Sequence, residues 1–176
     1  MIAINRILIP TDFGEAADTA IAYGRALAGR FGATLHVLHV AENIYLNAFT
    51  AENYSALTPR IQEDIEDAAR KQLAELLIDS DRSGPPTTSV VLASNSPALT
   101  IVDYAKDHRI DLIVMGTHGR GALAHMVMGS VAERVVRLAP CPVLTVRHPE
   151  HEFVQPDTLM TVSHASPRSH DTLERP

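Results

Sequence analysis

The stretch DLIVMGTHGRGALAHMVMGSVAERV, residues 111–135, runs from an apolar segment of strand length into glycines and then into a helical pattern. Asp111 to Met115 reads as a strand, Gly116, Gly119 and Gly129 mark a loop, and Ser130 to Leu138 has helical spacing. Such a join sets the end of a strand against a helix N-terminus, where backbone N–H groups and the positive end of the helix dipole attract anions. Glycine adds conformational freedom and lets N–H groups approach a phosphate closely. Ser130-Val131-Ala132-Glu133 fits a capping box, which predicts a helix start at Ser130 with its dipole aimed into the loop. Taken alone, the same glycines serve equally well for tight turns, and Ser130 for a plain helix cap. The segment has neither the Gly-Lys-Ser/Thr of a Walker loop nor the compact Gly-x-Gly-x-x-Gly of dinucleotide folds.

Outward from this join, strands and helices alternate. Arg6 to Pro10 predicts a first strand that stops at Thr11-Asp12-Phe13-Gly14. Ala17, Ile21, Ala22, Leu27 and Ala28 give Glu15 to Phe31 a helical period, with Gly32 as its stop. Thr34 to Val40 is a second strand, and Ala41 to Leu57 has no period. Thr58-Pro59 supplies a helix N-cap and a first-turn proline for a long amphipathic helix. Its expected buried stripe is Ile61, Ile65, Ala68, Ala69, Leu73, Leu76 and Leu77. Ser83-Gly84-Pro85-Pro86 breaks it, Thr88 to Leu92 is strand three, and Ser96-Pro97 opens a helix carrying Leu99, Ile101, Val102 and Ala105. Pro142 to Val146 is the fifth strand. This alternation predicts an α/β fold, a parallel sheet with helices on both faces.

Composition narrows the function. The 176 residues are one domain's worth, and 45% hydrophobic against 20% charged residues is enough for a packed core. A net charge of −6 without a basic stripe argues against nucleic acid. No apolar run nears the roughly 18 residues a membrane span needs. Met1 to Arg6 lacks a basic region leading into a signal core, and the lone Cys141 permits no intrachain disulfide, so the expected location is cytoplasmic. Cys141, between Pro140 and Pro142, reads as a small core residue. Met115, Met126 and Met128 read as packing residues. His148 to Pro176 is polar and aperiodic, which predicts a flexible tail behind a domain at 1–147. The spacing of His148, His151, His164 and His170 matches no metal site. His36 and His39, three apart on a strand, point to opposite faces and share no ion.

Gly116, two residues, Gly119, nine residues, then Gly129-Ser130 is the spacing of the nucleotide-binding members of the universal stress protein family, which the chain resembles over residues 2–147. Arg6-Ile7-Leu8-Ile9-Pro10-Thr11-Asp12 resembles the family's first strand, Asp111 to Arg120 its fourth, and Cys141-Pro142-Val143-Leu144-Thr145-Val146-Arg147 its closing strand. Asn95-Ser96-Pro97 departs from the family, in which a glycine often precedes this proline; the departure bears on loop shape.

The resemblance implies a Rossmann-like five-stranded sheet of order 3-2-1-4-5 that binds ATP, with Mg²⁺, across strands one and four. Open α/β sheets bind ligands at that kind of switch point. By resemblance, Pro10, Thr11 and Asp12 border the nucleoside and the Val40 backbone contacts adenine. Gly116, Gly119, Gly129 and Ser130 would hold ribose and phosphates, and Met115, Thr117 and Val131 complete the nucleotide-binding set. His118 and Arg120 meet phosphate charge or face solvent, and Asp12 could instead cap the turn after its strand. The expected function is an ATP-binding stress-response or signalling module with at most slow hydrolysis. Beyond Asp12 the loop offers no carboxylate pair to position metal and nucleophile, and no catalytic residue or fixed metal site is assigned. The alternatives are an ATP-hydrolysing or phosphotransfer enzyme, or a family member acting only through protein contacts. Val143, Leu144, Thr145 and Val146 would form an uncharged sheet edge, and many relatives in the resembled family associate through it as homodimers.

Overall fold

The first strand, β1 (Arg6–Thr11), is buried at every position after Arg6 and lies in the middle of the sheet. A computed structural model describes residues 2–45, 58–78, 84–117 and 128–147. After β1 come α1 (Glu15–Phe31), β2 (Thr34–Ala41), α2 (Thr58–Ile78), β3 (Thr87–Ala93), α3 (Pro97–Asp107), β4 (Leu112–Gly116), α4 (Ser130–Leu138) and β5 (Val143–Val146). The sheet is five-stranded and parallel, with order β3-β2-β1-β4-β5. His118, Gly119, Arg120, Met126 and the tail from His148 fall outside the described residues, and so do the expectations made for them.

Side-chain alternation along β1 divides the core into two. Ile7 and Ile9 join Leu35, Val37, Ala20, Ile21 and Leu73 on the α1/α2 face. Leu8 joins Leu38, Ile101, Ile113 and Val135 on the α3/α4 face. Ile7, Leu8 and Ile9 are fully buried, and each such side chain contributes about 1.5–3 kcal/mol of transfer free energy. The near-continuous apolar reading of β1 is therefore the mark of a strand covered on both sides.

Helix α1 sits close because its inner face is small: Ala17, Ala20, Gly24 and Ala28 are buried. It ends at Gly32, left-handed at φ 67°, whose N–H donates to the Ala28 carbonyl. The helix passes so near β4 that a Cβ on Gly116 would lie 2.8 Å from Ala16 Cβ and 3.0 Å from its carbonyl carbon and oxygen.

Two expected helix faces are corrected. On α2, Ile61 is 48% exposed while Gln62 is 4% exposed. Gln62 turns inward because its amide has backbone to satisfy: Oε1 accepts from Ile44 N–H (3.0 Å) and Nε2 donates to the Glu42 carbonyl (3.2 Å). Ala68 is also exposed, whereas Ala69, Leu73 and Leu77 are buried as expected. On α3 the seated residues are Ala98, Ile101, Tyr104 and Ala105, with Leu99 at the surface. Tyr104 completes that stripe with its hydroxyl on a hydrogen bond, a partner that apolar periodicity does not register.

Gly116→Ala is expected to destabilise the fold by about 1–3 kcal/mol, because the added methyl meets helix backbone as well as side chain. A lowered urea midpoint checks it; an unchanged midpoint would mean that α1 can lift without cost.

Candidate functional site

The β1–β4 ladder pairs Ile7 with Leu112 and Leu8 with Ile113, and goes no further. Both strands continue, β1 to Thr11 and β4 to Gly116, so their C-terminal ends part. This is the place where successive connections leave to opposite faces of the sheet, the general position of ligand crevices in open α/β folds. A cavity of about 460 Å³ fills it. Pro10, Thr11, Asp12, Val40, Met115, Gly116, Thr117, Gly129, Ser130 and Val131 all line it, so the structure brings together every described residue expected at the site.

Leu38, Val40, Pro97, Ile101 and Met115 make one part of the wall apolar. Leu38, Pro97 and Ile101 were not singled out from sequence. Their signal was present in the alternation of β2 and the period of α3, but those patterns mark burial and do not separate a cavity wall from core.

The turn after β1 is built from polar side chains bonding backbone. Thr11 Oγ1 accepts from Phe13 N–H (3.0 Å), and Asp12 Oδ1 accepts from Gly14 N–H (3.2 Å). These bonds support Phe13 at φ 61°, a left-handed conformation costly for a bulky residue. The Phe13 ring packs on His39 at 4.4 Å between centroids. His39 Nδ1 donates to the Thr11 carbonyl (2.9 Å), which fixes the proton on that nitrogen because a carbonyl only accepts. Asp12 thus performs the turn-capping role open to it and also lines the cavity.

Across the cavity, Thr117 N–H donates to the Val146 carbonyl (2.8 Å), and Gly129 N–H donates to the Thr117 carbonyl (2.7 Å). The chain therefore leaves β4 and returns to α4 at one point. The capping box does not form. Gly129 is the N-cap at φ −74° and ψ 155°, with no side-chain capping bond, and its carbonyl accepts from Glu133 N–H (2.9 Å). Ser130 is the first helical residue, one position inside the expected register, and Glu133 pairs with Arg137 at 3.6 Å. The first-turn residues Ser130, Val131 and Ala132 border the cavity, bringing the positive end of the α4 dipole with them.

The conformational freedom expected of Gly116 and Gly129 is corrected. Neither Gly116 nor Gly129 has a positive φ. Gly116 is required by the approach of α1, and Gly129 takes an extended conformation open to any residue.

Cys141 is half-buried; burial raises its pKa and the Asp111 carboxylate adds to the rise, the reverse of an activated thiolate. Met115 is buried and Met128 packs against the α3/α4 core.

A sequence model of the universal stress protein family matches residues 3–147. The chain belongs to the universal stress protein family. A family member from Thermus aquaticus is 37% identical over 143 residues, covering 80% of this chain and 97% of its own. The universal stress protein MJ0531 of Methanocaldococcus jannaschii is 32% identical over 148 residues, covering 84% and 85%. Among solved structures, the universal stress protein UspA from Lactobacillus plantarum superposes with a TM-score of 0.65 at 30% identity, covering 84% of this chain and all of that one. Two family structures that share the fold carry nucleotides: one in complex with cAMP (TM-score 0.59, 20% identity, 83% and 98% covered), and one from Archaeoglobus fulgidus in complex with dAMP (0.52, 18%, 83% and 99%).

Away from the cavity, His36 and His39 occupy opposite faces as expected. His36 Nδ1 and the Tyr104 hydroxyl are hydrogen-bonded at 2.9 Å, Tyr104 stacks on His108 at 3.8 Å, and Arg6 Nη1 donates to the His108 carbonyl. Burial holds the His36 pKa below the ordinary imidazole value, and the charges of His108 and Arg6 push the same way. The unfolded chain takes up this proton near the ordinary imidazole value of 6.5, while folded His36 resists to lower pH. Between those points the unfolded state binds more protons, so stability falls as pH drops through that window. Urea midpoints at about pH 7.5 and about pH 5 check this: His36→Gln should lose less stability between them than the unaltered protein, and equal losses would contradict it.

Proposed function

We propose that the chain binds ATP together with Mg²⁺ and acts as a nucleotide-binding stress-response or signalling module. The observation that carries this reading is one crevice with two ends of different chemistry. Leu38, Val40, Pro97 and Ile101 offer an apolar slot for a flat base. At the other end, where Gly116 and Thr117 face Gly129, the first turn of α4 at Ser130, Val131 and Ala132 offers backbone N–H groups and a positive dipole for phosphates.

Val40 adds base selectivity. Along β2, Thr34 N–H bonds to Asn5 on the β1 side, while Leu35 N–H and the Ala41 carbonyl bond on the β3 side. Parallel alternation therefore turns Val40 toward β1, yet the last β1–β2 pair is Thr11 with His39. The Val40 carbonyl extends past the end of β1, where it suits a 6-amino group and repels a 6-oxo group. Adenine is favoured over guanine.

Mg²⁺ would arrive on the triphosphate, and Asp12 is the carboxylate at the cavity wall. A single carboxylate engaged in its own turn is a poor base for positioning water, so hydrolysis is slow at most. We further propose a homodimer through β5. That strand is a sheet edge, and Leu144 on it is exposed, as are Val136 and Leu138 on α4 beside it.

Titration calorimetry tests the ligand. The unaltered protein should bind Mg-ATP, Gly119→Val should abolish binding with an unchanged circular dichroism spectrum, and phosphate release should stay far below the ~10 per second typical of enzymes. Full affinity in Gly119→Val, or turnover near that rate, would refute the reading. Light scattering tests the assembly: the intact chain should have the mass of two copies and Thr145→Lys that of one, whereas a monomeric intact chain would dismiss the interface.

A further inference from the structure

The end of β2 is held by side-chain amides in place of a continued ladder. The β2–β3 pairing finishes at Ala41 with Ala93, and Ser94 N–H donates the closing bond to the Ala41 carbonyl (2.9 Å). Past that point the two chains separate, β2 toward α2 and β3 toward α3. Asn95 bridges them. Its Oδ1 accepts from Asn43 N–H at 2.8 Å and its Nδ2 donates to the Asn43 carbonyl at 2.9 Å. One side chain thus imitates a strand neighbour, matching a backbone donor and acceptor 52 residues away in sequence. From the α2 side Gln62 does the same for the residues on either side, with Ile44 N–H and the Glu42 carbonyl. Only a carboxamide carries donor and acceptor together in this way.

The clamp joins the two segments that carry Val40 and Pro97. Asn43 is three residues beyond Val40, and Asn95 is two residues before Pro97; Val40 and Pro97 both line the cavity. Pro97 restrains α3 from its first turn, so the position of Asn95 is passed to Ile101 on the same wall. Gly116, Gly129 and Ser130 belong to other elements, β4 and α4, and make no bond with Asn95 or Asn43 among those described.

We infer that Asn95 is a positioning residue for base selectivity: by bonding Asn43 on both sides it fixes the Val40 carbonyl opposite the Pro97–Ile101 wall. Loss of the clamp lets the end of β2 drift, and the 6-amino and 6-oxo groups are then distinguished less sharply. Phosphate contacts at the other end are untouched. The inference rests on the nucleotide reading above and extends it to a residue that touches no ligand.

The test uses the full chain and three probes with Mg²⁺: ATP, GTP and inorganic triphosphate, titrated into the unaltered protein, Asn95→Ala and Asn95→Asp, with melting curves alongside. Asn95→Asp keeps the side-chain volume and the acceptor for Asn43 N–H but sets a carboxylate oxygen against the Asn43 carbonyl, so it carries the test if the alanine variant fails to fold. The expected result is a loss of ATP affinity of about fivefold, the net worth of one hydrogen bond. The ATP-to-GTP ratio should narrow correspondingly while triphosphate affinity stays constant. An unchanged ratio in both variants would overturn the positioning role, whatever the melting temperature does. A parallel loss for ATP and triphosphate would overturn it as well, because that is a general loosening of the site. If the unaltered protein binds none of the three probes, the nucleotide reading itself fails and the clamp's role with it.

Discussion

The seating of α1 on the sheet is the contact from which the rest of the architecture follows. Its inner face is alanine and glycine apart from Ile21, so the helix axis comes close enough for Ala16 to occupy the space that a side chain on Gly116 would need. That approach ties the start of α1, and with it the turn at Asp12–Gly14, to the far end of β4. The two sides of the crevice are thereby set by a single helix–strand contact, even though the strands beneath have stopped pairing. Larger side chains at Ala17 or Ala20 would raise α1 and move the Thr11–Asp12 rim away from Thr117 and Gly129.

Burial supplies the stability and polar side chains supply the shape. The described ion pairs lie on helix surfaces, Arg70 with Glu66 and Asp67, Lys71 with Glu75, Arg137 with Glu133. Pairs so exposed contribute little. Polar groups that shape the fold occur where strands run out: Thr11 and Asp12 at the end of β1, His39 across to Thr11, Gln62 and Asn95 around the end of β2. Each satisfies backbone that the ladder has released, which a parallel sheet must do wherever adjacent strands diverge.

What could be read in the sequence, and what could not, follows the same division. Among the described residues the five strands, the four helices and their alternation are legible because burial on both faces leaves long apolar runs and helical periods. The gathering of Asp12, Val40, Gly116 and Ser130 at one crevice was legible through the glycine spacing and the family resemblance, and the cavity contains all four. The inward turn of Gln62, the exposure of Ile61 and Leu99, and the Asn95 bridge were not legible. Their causes are partners tens of residues away, and no local period encodes a partner.

The helix start at Ser130 illustrates the limit most sharply. A serine three residues before a glutamate satisfies a local rule, but the rule assumes that the serine is the N-cap. Here the preceding glycine takes that place, because its N–H is already committed to the Thr117 carbonyl and its own carbonyl receives Glu133 N–H. The tertiary bond that closes the loop therefore displaces the local cap. With no side-chain capping bond at Gly129, the first-turn residues Ser130, Val131 and Ala132 border the cavity while Glu133 pairs with Arg137. A formed capping box would have turned the Glu133 carboxylate back onto the Ser130 N–H, laying a negative charge over the first turn; with Glu133 paired to Arg137, the positive end of the dipole faces the crevice.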